Sequence, residues 1–390
     1  MNRESTMNQL PESNDPALER ALNPILSNAI AERRVAGAVV LVSRRGVLSY
    51  ARAIGFADVE ARRPMTLDTI FLAASLTKPI VTAAFLSLVD EGTMALDDLV
   101  ARYLPAFSPK FNNEALPITL RQLLTHTAGL SYGFLQPLDG PYQRLGVSDG
   151  VDQPGLSIAD ELARIVEAGL FFPPGRAWVY SVGMDVLGAA IESATGKSLP
   201  QVVAERVTSR LGMSDSGFAV VDPSRLATPY ADGRPPVRMG KTHLLPFAGL
   251  SGIRFEPDRI FDQTSFASGG GGMACTASDF LAFLEAIRNG GGAVVAPDTA
   301  REMMKNQTGS HLIVIRGPGW GFGFGGAVLT HPTVAGLKLP GGLWSWGGVY
   351  GHSWAVDPER EVSYVLMTNT AVEGMNGQLS MELMAAALAS

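Results

Sequence analysis

Near the start of the chain, apolar residues recur at helical spacing at Leu18, Leu22, Ile25, Leu26, Ala29 and Ile30, behind an Asp15-Pro16 pair. Asp as N-cap with Pro at the first helical position is a start signal, because the amide that Pro lacks has no partner in the first turn. The pattern predicts an amphipathic opening helix. Two β-rich runs follow, Ala38 to Val42 and Val47 to Ile54, separated by Ser43-Arg44-Arg45-Gly46, and these predict an antiparallel hairpin. From Leu76 to Glu91 the chain is rich in Ala, Leu and Val, with Pro79 early enough to lie in a first turn and Gly92 placed to end the segment. A long buried helix is expected there. Thr119 predicts a cap for a helix through Leu124. Ile158 to Ala168, Asp185 to Ala194 and Pro200 to Leu211 read as further helices between Pro- and Gly-rich loops.

After Met273 the pattern changes. Thr276 is placed to cap a helix running to Arg288, which Gly290-Gly291-Gly292 ends. Strand-like runs stand at Gly323 to Leu329, His352 to Val356 and Val362 to Met367, and Gln378 to Leu388 reads as a closing helix. The predicted class is therefore α+β: an antiparallel sheet completed by both ends of the chain and flanked by N- and C-terminal helices, plus a mainly helical domain. The expected division is 1–85 with 243–390 for the sheet domain and 86–242 for the helical one.

Composition narrows the function classes. Of 390 residues 46% are hydrophobic and 17% charged, which is too apolar for a disordered chain. The formal net charge is -6, from 31 Lys plus Arg against 37 Asp plus Glu, and no basic run could follow a phosphate backbone. Nucleic acid is not expected as a partner. A single cysteine, Cys275, excludes an intramolecular disulfide and a multi-cysteine zinc site; next to a helix start it reads as a small core residue. The first residues contain no apolar leader and nothing reaches the about 18 apolar residues of a membrane span, so a cytoplasmic location and no membrane partner are expected. The oligomeric state stays open.

The sharpest chemical signal is Ser75-Leu76-Thr77-Lys78. A Ser and a Lys three apart at a helix mouth share one face. A serine hydroxyl attacks poorly until a base takes its proton, and a helix N-terminus favours the negative charge that then develops. A capping Ser followed by a surface Lys explains the same four residues. Their company is more specific: Leu123 to Leu130 containing His126, then Tyr180-Ser181-Val182, Ser268 to Met273 with four consecutive glycines, and Trp346-Gly347-Gly348-Val349-Tyr350-Gly351-His352-Ser353.

In this order and spacing the chain resembles the family VIII carboxylesterases, which share a fold and an S-x-x-K nucleophile with class C β-lactamases and penicillin-binding proteins. The resemblance implies a β-lactamase-like fold, Ser75 as nucleophile, Lys78 as the group sharing its proton, Tyr180 acting with Lys78 as base, and backbone amides of Ser75 and Val349 as the oxyanion hole. It implies a substrate-binding strand at Trp346, Gly347 and Gly348, where the glycines let substrate lie close, and no cofactor. The family's cationic K-T-G position is Trp346 here and the Asn of Y-x-N is Val182. Both departures point away from β-lactams and toward a neutral ester. An unperturbed Lys or Tyr, with pKa about 10, is almost never a free base at pH 7, so a coupled pair that must lose a proton predicts a rate climbing toward alkaline pH.

Other readings compete. Gly129-Leu130-Ser131-Tyr132-Gly133 and Gly146-Val147-Ser148-Asp149-Gly150 match G-x-S-x-G, but neither Ser131 nor Ser148 has the strand-to-helix elbow that this motif needs. His126, at a helix end where positive charge is welcome, and His352, at a strand start, read as structural. Neither has a second ligand at metal spacing, so no metal is expected. Of the aromatics Tyr132, Phe134, Trp178, Trp344, Trp346 and Trp354, Trp346 is expected at the site and the others are divided between cleft and core. The function expected is hydrolysis of short- to medium-chain carboxylic esters through an acyl-enzyme on Ser75. The alternatives are β-lactam cleavage, D-amino-acid peptide cleavage or acyl transfer on the same fold, and a catalytically silent binding or scaffold homologue.

Overall fold

The computed structural model describes residues 14–247 and 249–389; the N-terminal tract read above for a leader lies outside them. The opening helix α1 (Pro16–Ala31) starts as its sequence predicts, with the Asp15 carboxylate accepting from the Ala17 amide at 2.7 Å. Strands β1 (Gly37–Arg44) and β2 (Val47–Asp58) form the hairpin. The loop is tighter than the expected four residues. Arg45 and Gly46 alone make the turn, both with positive φ, the conformation that matches the twist of a two-residue hairpin.

The hairpin belongs to an eight-stranded sheet whose other members are β3 (Arg63–Pro64), β4 (Trp320–Phe322), β5 (Ala327–Leu329), β6 (Trp344–Gly348), β7 (His352–Asp357) and β8 (Val362–Thr368). The order is β4-β5-β6-β7-β8-β1-β2-β3. The antiparallel register Ala38 to Thr368 through Arg44 to Val362 joins the two ends of the chain, as the pattern of strands at both ends implied. β6, β7 and β8 are buried at every position, so helices cover both faces. Residues 323–329 are not one strand: Gly323-Phe324-Gly325-Gly326 is a turn between β4 and β5. Gly325 has φ +85°, and a Cβ there would stand 2.7 Å from Pro79 Cα, so glycine lets this turn rest on the helix that carries Lys78.

Helix α2 (Thr77–Asp90) is preceded by a 3-10 turn over Ala74–Leu76. It is buried along nearly its whole length, and Gly92 follows it with φ +74°. Thr119 caps α3 (Leu120–Leu124) through a reciprocal box with Gln122. Helices α4 (Ile158–Ala168), α5 (Gly183–Thr195), α6 (Ala277–Arg288) and α7 (Gln378–Ala389) match their predicted spans within two residues. The expected 200–211 helix is a short one, Leu199–Val203, continued by a wider π turn over Ala204–Thr208. One apolar core runs without a break from α1 through the sheet into the helices between residues 86 and 242. Trp354 anchors its sheet side, fully buried, edge-on to Trp344 at 4.6 Å and to Phe280 at 5.8 Å. Trp354→Ala should lower stability by about 3 to 5 kcal/mol, read from urea unfolding midpoints; a change under about 1 kcal/mol would show that the cavity collapses freely.

Candidate active site

Ser75 sits in the short turn before α2, and the residue before it, Ala74, is held at φ +46°. A left-handed conformation at a residue with a Cβ costs energy and persists only where surrounding contacts impose it. Those contacts come from two directions. The Ala73 amide donates to the Met273 carbonyl at 2.8 Å, and the glycine end of β6 presses on the turn. A Cβ on Gly348 would stand 2.7 Å from the Ala73 carbonyl oxygen and 3.0 Å from His352, and one on Gly347 would stand 2.6 Å from the His352 carbonyl oxygen. These glycines therefore let the strand approach the nucleophile turn and its neighbours. Gly347 also lines the cleft that contains Ser75.

One helical turn after Ser75, Lys78 is fully buried, and its Nζ donates to Ser75 Oγ at 3.2 Å and to the Gly270 carbonyl at 2.7 Å. The same nitrogen lies 4.6 Å from the Tyr180 ring centroid and 5.1 Å from that of Tyr132, faces that attract a cation. Tyr180 comes from the segment before α5, and its hydroxyl donates to Ser75 Oγ at 2.8 Å. Three groups separated by up to 105 positions thus meet at one oxygen. The indole of Trp346 donates to the Tyr180 oxygen at 3.1 Å.

Asp185 holds the Gly270 loop in place. One of its oxygens accepts from the Ser268 hydroxyl at 2.7 Å and from the Gly270 amide at 3.1 Å. Burial pushes its carboxyl above the ordinary range, against these donors and the Lys78 charge. The sequence marked the 268–273 run as a motif but not Asp185, whose role depends on a fold-level encounter.

The two histidines stay out of this triad of contacts. His126 is buried, with Nδ1 3.1 Å from Ser181 Oγ and its ring edge-on to Tyr180 at 4.7 Å. Burial, helped by the Lys78 charge, lowers its pKa well below the usual value, so its part is neutral packing and not the charged helix-end role expected of it. His352 Nε2 donates to the Leu72 carbonyl at 2.8 Å, and burial brings its pKa down to about 4. Ser131 is buried and donates to the Tyr132 carbonyl. Ser148 donates to Asp152 at 2.6 Å. Neither faces the cleft. Cys275 is a buried strand residue with its thiol pushed up by burial. Among the described residues no group of three or more His, Cys, Asp or Glu is arranged to hold a metal ion, and no helix is long and apolar enough to cross a membrane.

Ser75, Tyr180, Trp346 and Val349 open on a cleft of about 170 Å³ walled by Phe134, Leu135 and other apolar side chains. Trp346 and Phe134 thus lie at the site, while Trp344 and Trp354 are core and Trp178 backs Tyr180 at 6.3 Å. Arg316 also lines the cleft. The sequence offered no cation for this wall, because Arg316 stands on an irregular loop outside every motif.

A serine and a lysine at S-x-x-K spacing, a tyrosine on the serine oxygen and a helix-covered antiparallel sheet define the penicillin-recognising class of serine folds. The chain belongs to the β-lactamase family, whose profile matches residues 22–389. It is 45% identical over 371 residues to "Esterase EstB" of Burkholderia gladioli, covering 94% of each chain. It is 28% identical over 370 residues to "Lovastatin esterase" of Penicillium rubens, covering 86% of this chain and 88% of that one. Among solved structures it superimposes with TM-score 0.91 on "EstCE1, a hydrolase with promiscuous acyltransferase activity", at 40% identity over 95% of this chain and 98% of that one. The resemblance to esterases of the β-lactamase fold, and the α+β class, are borne out.

The His352 environment carries a pH prediction. The unfolded chain binds a proton near the ordinary value of 6.5, whereas the folded one does so only near 4. The resulting contribution is fully present above about pH 6.5 and is lost as pH falls toward 4. His352→Gln should remove a stability difference on the order of 3 kcal/mol between those limits, seen as a flatter plot of unfolding midpoint against pH than in the parent. Parallel plots would show that His352 titrates normally.

Proposed function

We propose that the protein is a carboxylic ester hydrolase that forms an acyl-enzyme on Ser75 and acts on small esters with short to medium acyl chains. One observation carries the reading: Ser75 Oγ is held at hydrogen-bond distance from both Lys78 Nζ and Tyr180 OH, at the floor of an apolar cleft. The name of the 45% identical relative supports ester hydrolysis. The cleft's small volume supports small substrates, since drug-sized ligands need about 300 Å³ or more.

The groups divide the chemistry as follows. Tyr180, as the phenolate, takes the Ser75 proton while Oγ bonds to the ester carbonyl carbon. Lys78 faces the tyrosine ring and Trp346 donates to its oxygen, and both stabilise negative charge there. The main-chain amides of Ser75 and Val349 receive the oxyanion. When the tetrahedral intermediate collapses, the C–O bond to the alcohol breaks and Tyr180 returns its proton to the departing oxygen. Water then adds to the acyl-serine, giving up a proton to Tyr180, and the acid leaves as Ser75 regains its hydrogen. An alcohol in place of water gives acyl transfer, and the printed description of the TM-score 0.91 neighbour favours that as a side reaction. No cofactor enters any step. A cytoplasmic site of action agrees with a lone buried thiol that needs no oxidising compartment.

With p-nitrophenyl butyrate, Ser75→Ala should lower kcat by about a thousandfold or more and Tyr180→Phe by about a hundredfold or more, whereas Ser131→Ala and Ser148→Ala retain turnover. Loss at Ser148 with turnover kept at Ser75→Ala would overturn the assignment. Trp346→Phe keeps an aromatic ring, though a smaller one, and removes the donor to Tyr180, so kcat should fall by about tenfold with KM little changed. A KM effect alone would make Trp346 only a wall of the cleft.

A further inference from the structure

Arg316 lines the cleft that contains Ser75, and among the described residues no side-chain hydrogen bond or ion pair engages its guanidinium. Its Cζ lies 5.2 Å from the Trp320 ring centroid and 5.1 Å from that of Trp346, so it is held against two indoles. Cation–π attraction stabilises that position without using the N–H donors of the fork. Among the described residues no carboxylate pairs with it, and the one titratable group that influences its charge is Tyr180. Burial brings its pKa down to about 10, so it remains a cation at neutral pH. The other deeply placed arginines differ. Arg34 pairs with Glu373, Arg288 with Glu285, and Arg259 donates to the carbonyls of Asp152 and Phe266. A partly desolvated charge left without a partner is unfavourable, and an arginine fork with free in-plane donors matches a carboxylate.

Position identifies which part of a substrate would meet it. Trp346 touches Arg316 with its face and donates to the Tyr180 oxygen with its edge, so the guanidinium is on the Tyr180 side of the nucleophile. Tyr180 is the group that hands a proton to the leaving alcohol.

We propose that Arg316 is a specificity-determining residue that receives a carboxylate carried by the alcohol portion of the ester, so that the preferred substrates are short acyl esters of carboxylate-bearing alcohols or phenols. The inference rests on the acyl-enzyme reading for the side on which the alcohol leaves. It revises the neutral ester expected from Trp346 at the K-T-G position: the cation is present, supplied by a different loop.

The test compares 3-acetoxybenzoate with its methyl ester, which carry the same acyl group and differ in one charge. The parent protein should prefer the anion in kcat/KM. Arg316→Gln should reduce that preference by about tenfold or more through KM, and Arg316→Lys should restore part of it. A parent without preference, or an Arg316→Gln variant that slows both esters equally, overturns the proposal and leaves the acyl-enzyme reading standing. A second measurement needs no turnover. In the Ser75→Ala protein, calorimetric titration should show 3-hydroxybenzoate binding more tightly than 3-hydroxybenzamide, with the difference lost when Arg316→Gln is added. Equal binding of the two probes before that change overturns the proposal even if hydrolysis is never seen.

Discussion

The centre of this molecule is organised by the need to keep the Lys78 amine dry and fully partnered. A buried ammonium without acceptors is strongly unfavourable, and among the described residues no carboxylate pairs with Lys78. Its partners are the Ser75 oxygen, the Gly270 carbonyl and the faces of two tyrosine rings. Each partner comes from a different part of the chain, so satisfying one amine draws together the α2 turn, the glycine run and the segment before α5. A carboxylate in place of the carbonyl would offset the lysine's charge and weaken its pull on the serine and tyrosine oxygens. Asp185 is kept one step away, acting on the Gly270 loop through its amide.

Close approach is the second requirement. The end of β6 and the turn before α2 lie nearer to one another than a side chain permits, which Gly348 resolves by having none, while Gly347 does the same against the His352 carbonyl and Met375. That proximity places Val349 on the rim of the Ser75 cleft. It also brings His352 against the Leu72 carbonyl, so a neutral imidazole ties the sheet to the strand leading into the nucleophile turn. The aromatic shell of His126, Tyr132, Trp178 and Trp346 around Tyr180 fixes the phenol's direction. A ring packed on several sides has few alternative rotamers to lose when it acts.

Beneath the site lies an acidic layer that accounts for one of the misleading motifs. Asp152, Glu161 and Asp185 are buried beside the Arg259 guanidinium, with the half-buried Asp149 close to them, and burial raises all four carboxyls, Glu161 to about 9. Ser148 belongs to this layer, with its hydroxyl on Asp152 and its amide on Glu161. Its G-x-S-x-G surroundings serve a turn, as Gly150 shows with φ +83° and its amide on Ser148 Oγ. The motif records backbone requirements that a nucleophile elbow and a buried polar turn have in common.

Local chemistry in the chain was enough to determine the helix starts at Asp15, Thr119 and Thr276, the hairpin after Gly37, and the pairing of Ser75 with Lys78, because capping, turn geometry and one-turn spacing all act within a few residues. The order of motifs extended this to Tyr180 and to the fold class. What the sequence hid depends on contacts between distant segments. The all-buried strand β6 shows no alternation, since both its faces are covered, and the family resemblance rather than periodicity marked a strand at Trp346 to Gly348. The 323–329 run reads as one strand until Pro79 of another element shows why it must turn. Arg316 gains its meaning only from two indoles that flank it and from the absence of a carboxylate beside it. Periodicity reports which way a side chain faces within its own element, whereas the tertiary structure alone decides what waits on the other side.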